Sequence, residues 1–124
     1  MDHKRYETEA KARWGGTDAY REYERRTAGR SDEERQAAGD GLMRLLSNFG
    51  GLKQSPADAP AAQELVKALQ DYITAHFYTC TDEILAGLGR LYAAGGEMTQ
   101  AIDRAGGTGT AAFAAEAIAA YCGR

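Results

Sequence analysis

The 124-residue sequence predicts an all-α protein, and three features carry that expectation. Apolar residues recur every three or four positions along several stretches, which is the spacing of a single helix face. β-branched residues are scarce and no alternating run exceeds a few residues, so no strand is expected. Helix boundaries are marked by Ser, Thr or Asp ahead of the apolar stretches and by glycine pairs behind them.

In order, residues 4–14 read as a polar helix with Tyr6, Ala10 and Trp14 on one stripe, ended by Gly15-Gly16. Thr17 or Asp18 caps a second short helix from Ala19 to about Thr27, with Tyr20 and Tyr23 as its large apolar groups. Helices this short are marginal alone, so the first 30 residues are ordered only if something packs on their rings. Ser31-Asp32-Glu33-Glu34 is a capping box opening a helix to about Asn48, with Leu42, Leu45, Leu46 and Phe49 inward. Gly39 and Gly41 each weaken its middle by about 1 kcal/mol relative to Ala. A loop with Pro56, and Pro60 after it, sets up a helix from about Ala59 to Phe77, whose inward stripe reads Leu65, Leu69, Tyr72, Ile73 and His76. Thr79 or Thr81 caps a helix to Ala94, with Ile84, Leu85, Leu88, Leu91 and Tyr92 inward, stopped by Gly95-Gly96. A short helix, Glu97 to Arg104, precedes a flexible Gly106-Gly107-Thr108-Gly109 break. The last helix, Thr110 to Cys122, buries Phe113, Ala117, Ile118 and Tyr121.

Composition narrows the function. A net charge of −3 and a pI near 5.4 argue against a nucleic-acid-binding face, and the Arg-rich first 35 residues interleave Glu and Asp in the manner of a solvated helix surface. No apolar run nears the ~18 residues of a membrane span, and no secretory signal is present. Cys80 and Cys122 have no metal-ligand spacing and suggest two reduced thiols in a cytoplasmic protein. No P-loop, dinucleotide fingerprint, nucleophile elbow or metal-binding His motif occurs. Neither an enzyme, a metal nor a cofactor is expected.

The stretch Tyr72 to Tyr92 carries the strongest hint of a ligand. His76, Phe77 and Tyr78 are consecutive, and neighbours on a helix stand about 100° apart, so at least one must face solvent or a cavity. Gly87 and Gly89 sit mid-helix, where glycine accompanies close approach of a backbone or a ligand. Were Cys80 in the first helical turn, Gly87, seven residues on, would share its face.

Several blocks occur together in order: Tyr6-Glu7-Thr8-Glu9-Ala10-Lys11-Ala12-Arg13-Trp14-Gly15, Thr17-Asp18-Ala19-Tyr20, Thr27, His76-Phe77-Tyr78-Thr79-Cys80, Leu88-Gly89-Arg90-Leu91-Tyr92, and Phe113 before an alanine-rich end. Together they resemble the TipAS antibiotic-recognition domain, the effector module of MerR-type multidrug-resistance regulators, over Tyr6 to Tyr121. The resemblance implies a compact globin-like helical bundle (residues 31–124) with a mobile N-terminal helical lid (1–30). It implies a partner that is a hydrophobic polycyclic or peptide antibiotic of thiopeptide type, sequestered or sensed, with no direct nucleic-acid or membrane contact from this chain. A MerR-type DNA-binding domain is expected in a longer form, the chain being either free-standing or an excised effector domain. By the same resemblance, Trp14 and Tyr20 match lid positions, and His76, Tyr78, Cys80 and Tyr92 the cleft. The residues themselves equally allow simple packing for the aromatics, and a small buried thiol for Cys80. Thiopeptide-capturing members carry a second cysteine, seven residues after the first, that attacks a dehydroalanine of the drug. Here that position is Gly87, which implies reversible binding. A protein-interaction domain using exposed aromatics is the alternative.

Overall fold

A computed structural model describes residues 18–123, with side chains from residue 21 onward. The predicted helix at 4–14, Trp14 and Thr17 lie outside the described residues, as does the side chain of Tyr20. Among the described residues there are six helices and no strand: α1 (Asp18–Thr27), α2 (Asp32–Asn48), α3 (Pro60–His76), α4 (Asp82–Tyr92), α5 (Glu97–Gly106) and α6 (Thr110–Cys122). A single 3₁₀ turn, Phe49–Leu52, continues α2.

Local chemistry sets most boundaries. Ser31 Oγ accepts the Glu34 amide at 3.1 Å while the Glu34 carboxylate reaches back to the Ser31 amide, completing the predicted capping box. Pro60 opens α3, where its missing N–H costs nothing. Of the two candidate caps for α4, Thr81 is the one used, its Oγ1 accepting from the Ile84 amide at 3.2 Å. Cys80 therefore precedes the cap and is not in the first turn, so the shared face expected for Cys80 and Gly87 does not arise. The glycine break before α6 is a closed turn. Gly107 and Gly109 take φ of 102° and 89°, values open to glycine at little cost, and Asp103 Oδ1 accepts the Ala111 amide at 2.9 Å. That carboxylate also faces the positive end of α6.

Helix α6 lies at the centre. It packs on α3, α4 and α5, most extensively on α4, while α2 lies across α3 and α5. The alanines at 111, 114 and 117 are buried and thin, so neighbouring helices approach closely, and Phe113, Ile118 and Tyr121 fill the space between. Phe113 meets Phe49 at the end of α2, ring centres 6.3 Å apart. The inward stripe of α3 differs from the one read in the sequence. It runs through Ala62, Val66, Leu69 and Ile73, while Leu65 and Tyr72 are half-buried and His76 is exposed. Leu65 and Tyr72 lie at the edge of that stripe, and His76, at the last position of α3, lies off it.

Candidate functional site

The corner between α3 and α4, residues 77–81, gathers the sequence's aromatic run. Its amides are satisfied in succession. Phe77 and Tyr78 both donate to the Ile73 carbonyl, at 2.9 and 3.2 Å, and Cys80 donates to Thr74 Oγ1 at 3.1 Å. The Thr79 amide instead donates to Glu22 Oε1 at 2.9 Å, and its hydroxyl to Glu22 Oε2 at 3.1 Å. Gln70 ties the corner to the bundle, donating to the Cys80 carbonyl and to Asp82 Oδ1, each at 2.9 Å, and accepting from the Tyr121 hydroxyl at 3.1 Å.

Helix α1 is docked on this corner. Arg26 donates to the Thr74 carbonyl and pairs with Glu22 at 2.6 Å, and Arg30 donates to the His76 carbonyl. These carbonyls belong to the last turn of α3, which has no intrahelical donors left, and cations favour that end of the dipole. The Thr79 bonds hold the Glu22 carboxyl below the usual carboxylate range, with Arg26 adding to the effect. Beside the polar clasp runs an aromatic row. Tyr23 stacks on Phe77 at 6.1 Å, Phe77 lies 6.2 Å from Tyr72, and Tyr72 lies 4.3 Å from the His76 ring. Such offset and tilted contacts are the favoured geometries of aromatic pairs.

Of the residues singled out in the sequence, His76, Tyr78 and Cys80 come together on this corner. His76 is exposed at its rim. Tyr78 is half-buried against the core, and desolvation together with the nearby Cys80 pushes its hydroxyl above the ordinary tyrosine range. Cys80 is 5% exposed, and burial, with Cys122 and Asp82 nearby, pushes its thiol up to about 12. Gly87 and Tyr92 lie further along α4, five residues apart and so about 140° around the helix from each other. Tyr92 is 1% exposed and belongs to the core. Gly87 is half-buried, and a Cβ there would meet only Arg90 Nη2, at 3.6 Å, whereas one at Gly89 would stand 3.0 Å from Ile118 Cγ2. Gly89 thus serves helix packing, and Gly87 fronts open space.

Sequence reasoning missed Glu22, Arg26, Arg30 and Gln70. The first three read as a solvated charged face; Glu22 and Arg26 do show the i, i+4 spacing of a helical ion pair, but nothing marks the distant carbonyls. Among the described residues no group of three or more His, Cys, Asp or Glu side chains could hold a metal ion, and no helix is long and apolar enough to cross a membrane.

A small helical bundle with an aromatic corner and a helix docked along one side of it is the class of fold that the structure defines. The family model of the TipAS antibiotic-recognition domain matches residues 6–121, and the chain belongs to that family. It is similar to the HTH-type transcriptional activator TipA of Streptomyces coelicolor and of Streptomyces lividans, 34% identical to each over 97% of this chain and 48% of theirs. The HTH-type transcriptional activator mta of Bacillus subtilis is 34% identical over 86% of this chain and 41% of its own length. The chain thus spans about half the length of the curated relatives it matches. The solved structure of TipAS from Streptomyces lividans in complex with the thiopeptide nosiheptide is 33% identical, with a TM-score of 0.82, covering all of this chain and 87% of that one.

Proposed function

We propose that this chain recognises a thiopeptide-like antibiotic, a large, hydrophobic peptide rich in aromatic rings, and reports or sequesters it as the effector module of a MerR-type transcriptional regulator or as that module alone. The observation that carries the reading is the likeness over the full chain to TipAS, which binds nosiheptide. The aromatic row at the α3–α4 corner supports it, since a rigid polycyclic ligand gains most from stacking on rings already in place. In this reading His76 and Tyr78 line the cleft, Cys80 backs it as an inert thiol, and the open space at Gly87 admits part of the drug. Tyr92 supports the cleft helix from beneath. Residues 1–30, with Trp14 and Tyr20, close over the ligand as a lid on the bundle of residues 31–124. The protein is a binder rather than a catalyst, in keeping with a family described as a recognition domain. Its relatives' role in transcription supports a cytoplasmic protein whose DNA contact is left to another domain.

Isothermal titration with nosiheptide, read in parallel through the fluorescence of Trp14, the one tryptophan of the sequence, tests the proposal. Saturable one-to-one binding with a change in Trp14 emission is expected. Heat signals no greater than dilution across a panel of thiopeptides would overturn it.

A further inference from the structure

We infer that Glu22 is a positioning residue: its carboxylate clasps Thr79 and thereby sets the conformation of the corner that presents His76, Phe77 and Tyr78. The amides of Phe77, Tyr78 and Cys80 are satisfied from within α3, by the Ile73 carbonyl and the Thr74 hydroxyl. Thr79 is the exception. Its amide and its hydroxyl both donate to Glu22, which lies 57 residues earlier, and a carboxylate accepting two hydrogen bonds is a strong, directional restraint. Thr79 is exposed, so without Glu22 its amide turns to water and the Tyr78–Thr79 peptide loses its anchor. That peptide joins Thr79 directly to Tyr78, one of the three residues the corner presents.

The clasp also explains why Glu22 is itself oriented. Arg26, one turn along α1, holds Oε2 at 2.6 Å while donating to the Thr74 carbonyl, so one guanidinium bridges the carboxylate and the end of α3. Thr79, Glu22, Arg26 and the Thr74 carbonyl thus form a polar circuit in series, from the corner to the end of α3, beside the stacked Tyr23 and Phe77 rings. Anything bound on the corner is coupled through this circuit to the docking of α1, and by reciprocity the docking of α1 is coupled to the affinity of the corner. The ligand arm of this inference rests on the function proposed above; the conformational arm does not.

Three variants of the full chain separate the two. Glu22→Ala removes both acceptors, Glu22→Gln keeps one, and Glu24→Ala, on the exposed side of α1, serves as control. In amide NMR without ligand, Glu22→Ala should move the Thr79 amide and the Tyr78 ring signals and speed Thr79 exchange by about tenfold, the effect of losing a charge-assisted bond. Glu22→Gln should recover part of that change, and Glu24→Ala should leave all of these signals in place. With nosiheptide as the probe, Glu22→Ala should weaken binding by about tenfold and Glu22→Gln by less. Unmoved Thr79 and Tyr78 signals in Glu22→Ala would overturn the inference. So would moved signals with an affinity equal to that of the original protein. Failure of the original protein to bind, with the NMR changes as expected, would overturn the proposed ligand and leave the clasp standing.

Discussion

The Tyr72 hydroxyl donates to the main-chain oxygen of Ala38 at 2.7 Å, reaching into the middle of α2 from α3, and Gly41 is what lets it do so. A Cβ at Gly41 would stand 2.9 Å from Tyr72 Cζ and closer still to the hydroxyl. Gly39, on the same helix, has nothing within 4 Å of such an atom. The two glycines should therefore respond oppositely to alanine. Gly39→Ala should stabilise the fold by about 0.5–1 kcal/mol through helix propensity. Gly41→Ala should destabilise it by about 1–3 kcal/mol through overpacking. Denaturant midpoints decide the matter, and a stabilised Gly41→Ala would mean that Tyr72 does not sit on α2.

A similar pair occurs on α4. Gly89→Ala presses on Ile118, in the most extensive helix contact of the bundle, and should lower the melting temperature. Gly87→Ala should be neutral or mildly stabilising. Gly87→Cys would stand where the TipAS resemblance puts the capturing thiol. After incubation with a dehydroalanine-bearing thiopeptide, intact mass should be unchanged for the original protein and raised by one ligand mass for Gly87→Cys. An adduct on the original protein mapped to Cys80 would contradict both the reading and the burial of that thiol.

The two thiols should differ in reactivity. With its thiol pushed up to about 12, Cys80 presents roughly one thiolate in ten thousand at pH 8, and little surface besides. Cys122 is partly exposed, its thiol donating to the Asp82 carbonyl at 3.3 Å. Iodoacetamide under native conditions should label Cys122 well ahead of Cys80, with peptide mapping as the readout. Equal rates would show that the corner opens readily.

Stability should also fall on the alkaline side. Cys80 and Tyr78 have folded-state pKa values raised above their ordinary 9.0 and 10.0. Each therefore favours folding fully below its ordinary value, and that contribution is lost as pH rises through the shifted one. Unfolding free energy measured from pH 8 to 11 should decline, with a shallower decline in Cys80→Ala. Identical slopes would place Cys80 in water.

At the acid end Glu22 acts with the opposite sign. Its carboxyl is lowered from 4.5, so its stabilisation is present above that value and disappears as pH falls below it. The stability gap between the original protein and Glu22→Gln should accordingly be widest near neutrality and close as pH falls below 4.5. A gap independent of pH would mean that the carboxylate is not clasped.

The sequence by itself determined the helices, their caps and the aromatic run. Ser31 with Glu34, Pro60 and the glycine pairs act within a turn or two of themselves, so their effect is legible locally, as is the burial of Leu85, Leu88 and Ile118 from helical spacing, while the choice of Thr81 over Thr79 as cap was left to the structure. The order of its motif blocks also pointed to the family that the comparisons then established. What only the tertiary structure decided is which neighbour each side chain meets. Gly39 and Gly41 are two residues apart and indistinguishable by propensity, as are Gly87 and Gly89; packing from α3 and from α6 assigns one of each pair to contact and the other to open space. Periodicity draws His76 inward, yet the buried stripe passes through Ala62, Val66, Leu69 and Ile73, and His76 stands exposed at the end of the helix, where the tertiary contacts of α3 leave it. The docking of α1 rests on partners 48 and 57 residues away, Arg26 with Thr74 and Glu22 with Thr79. Such bonds leave no local trace, since a charged residue on a helix surface looks the same whether it faces water or another helix's last carbonyls.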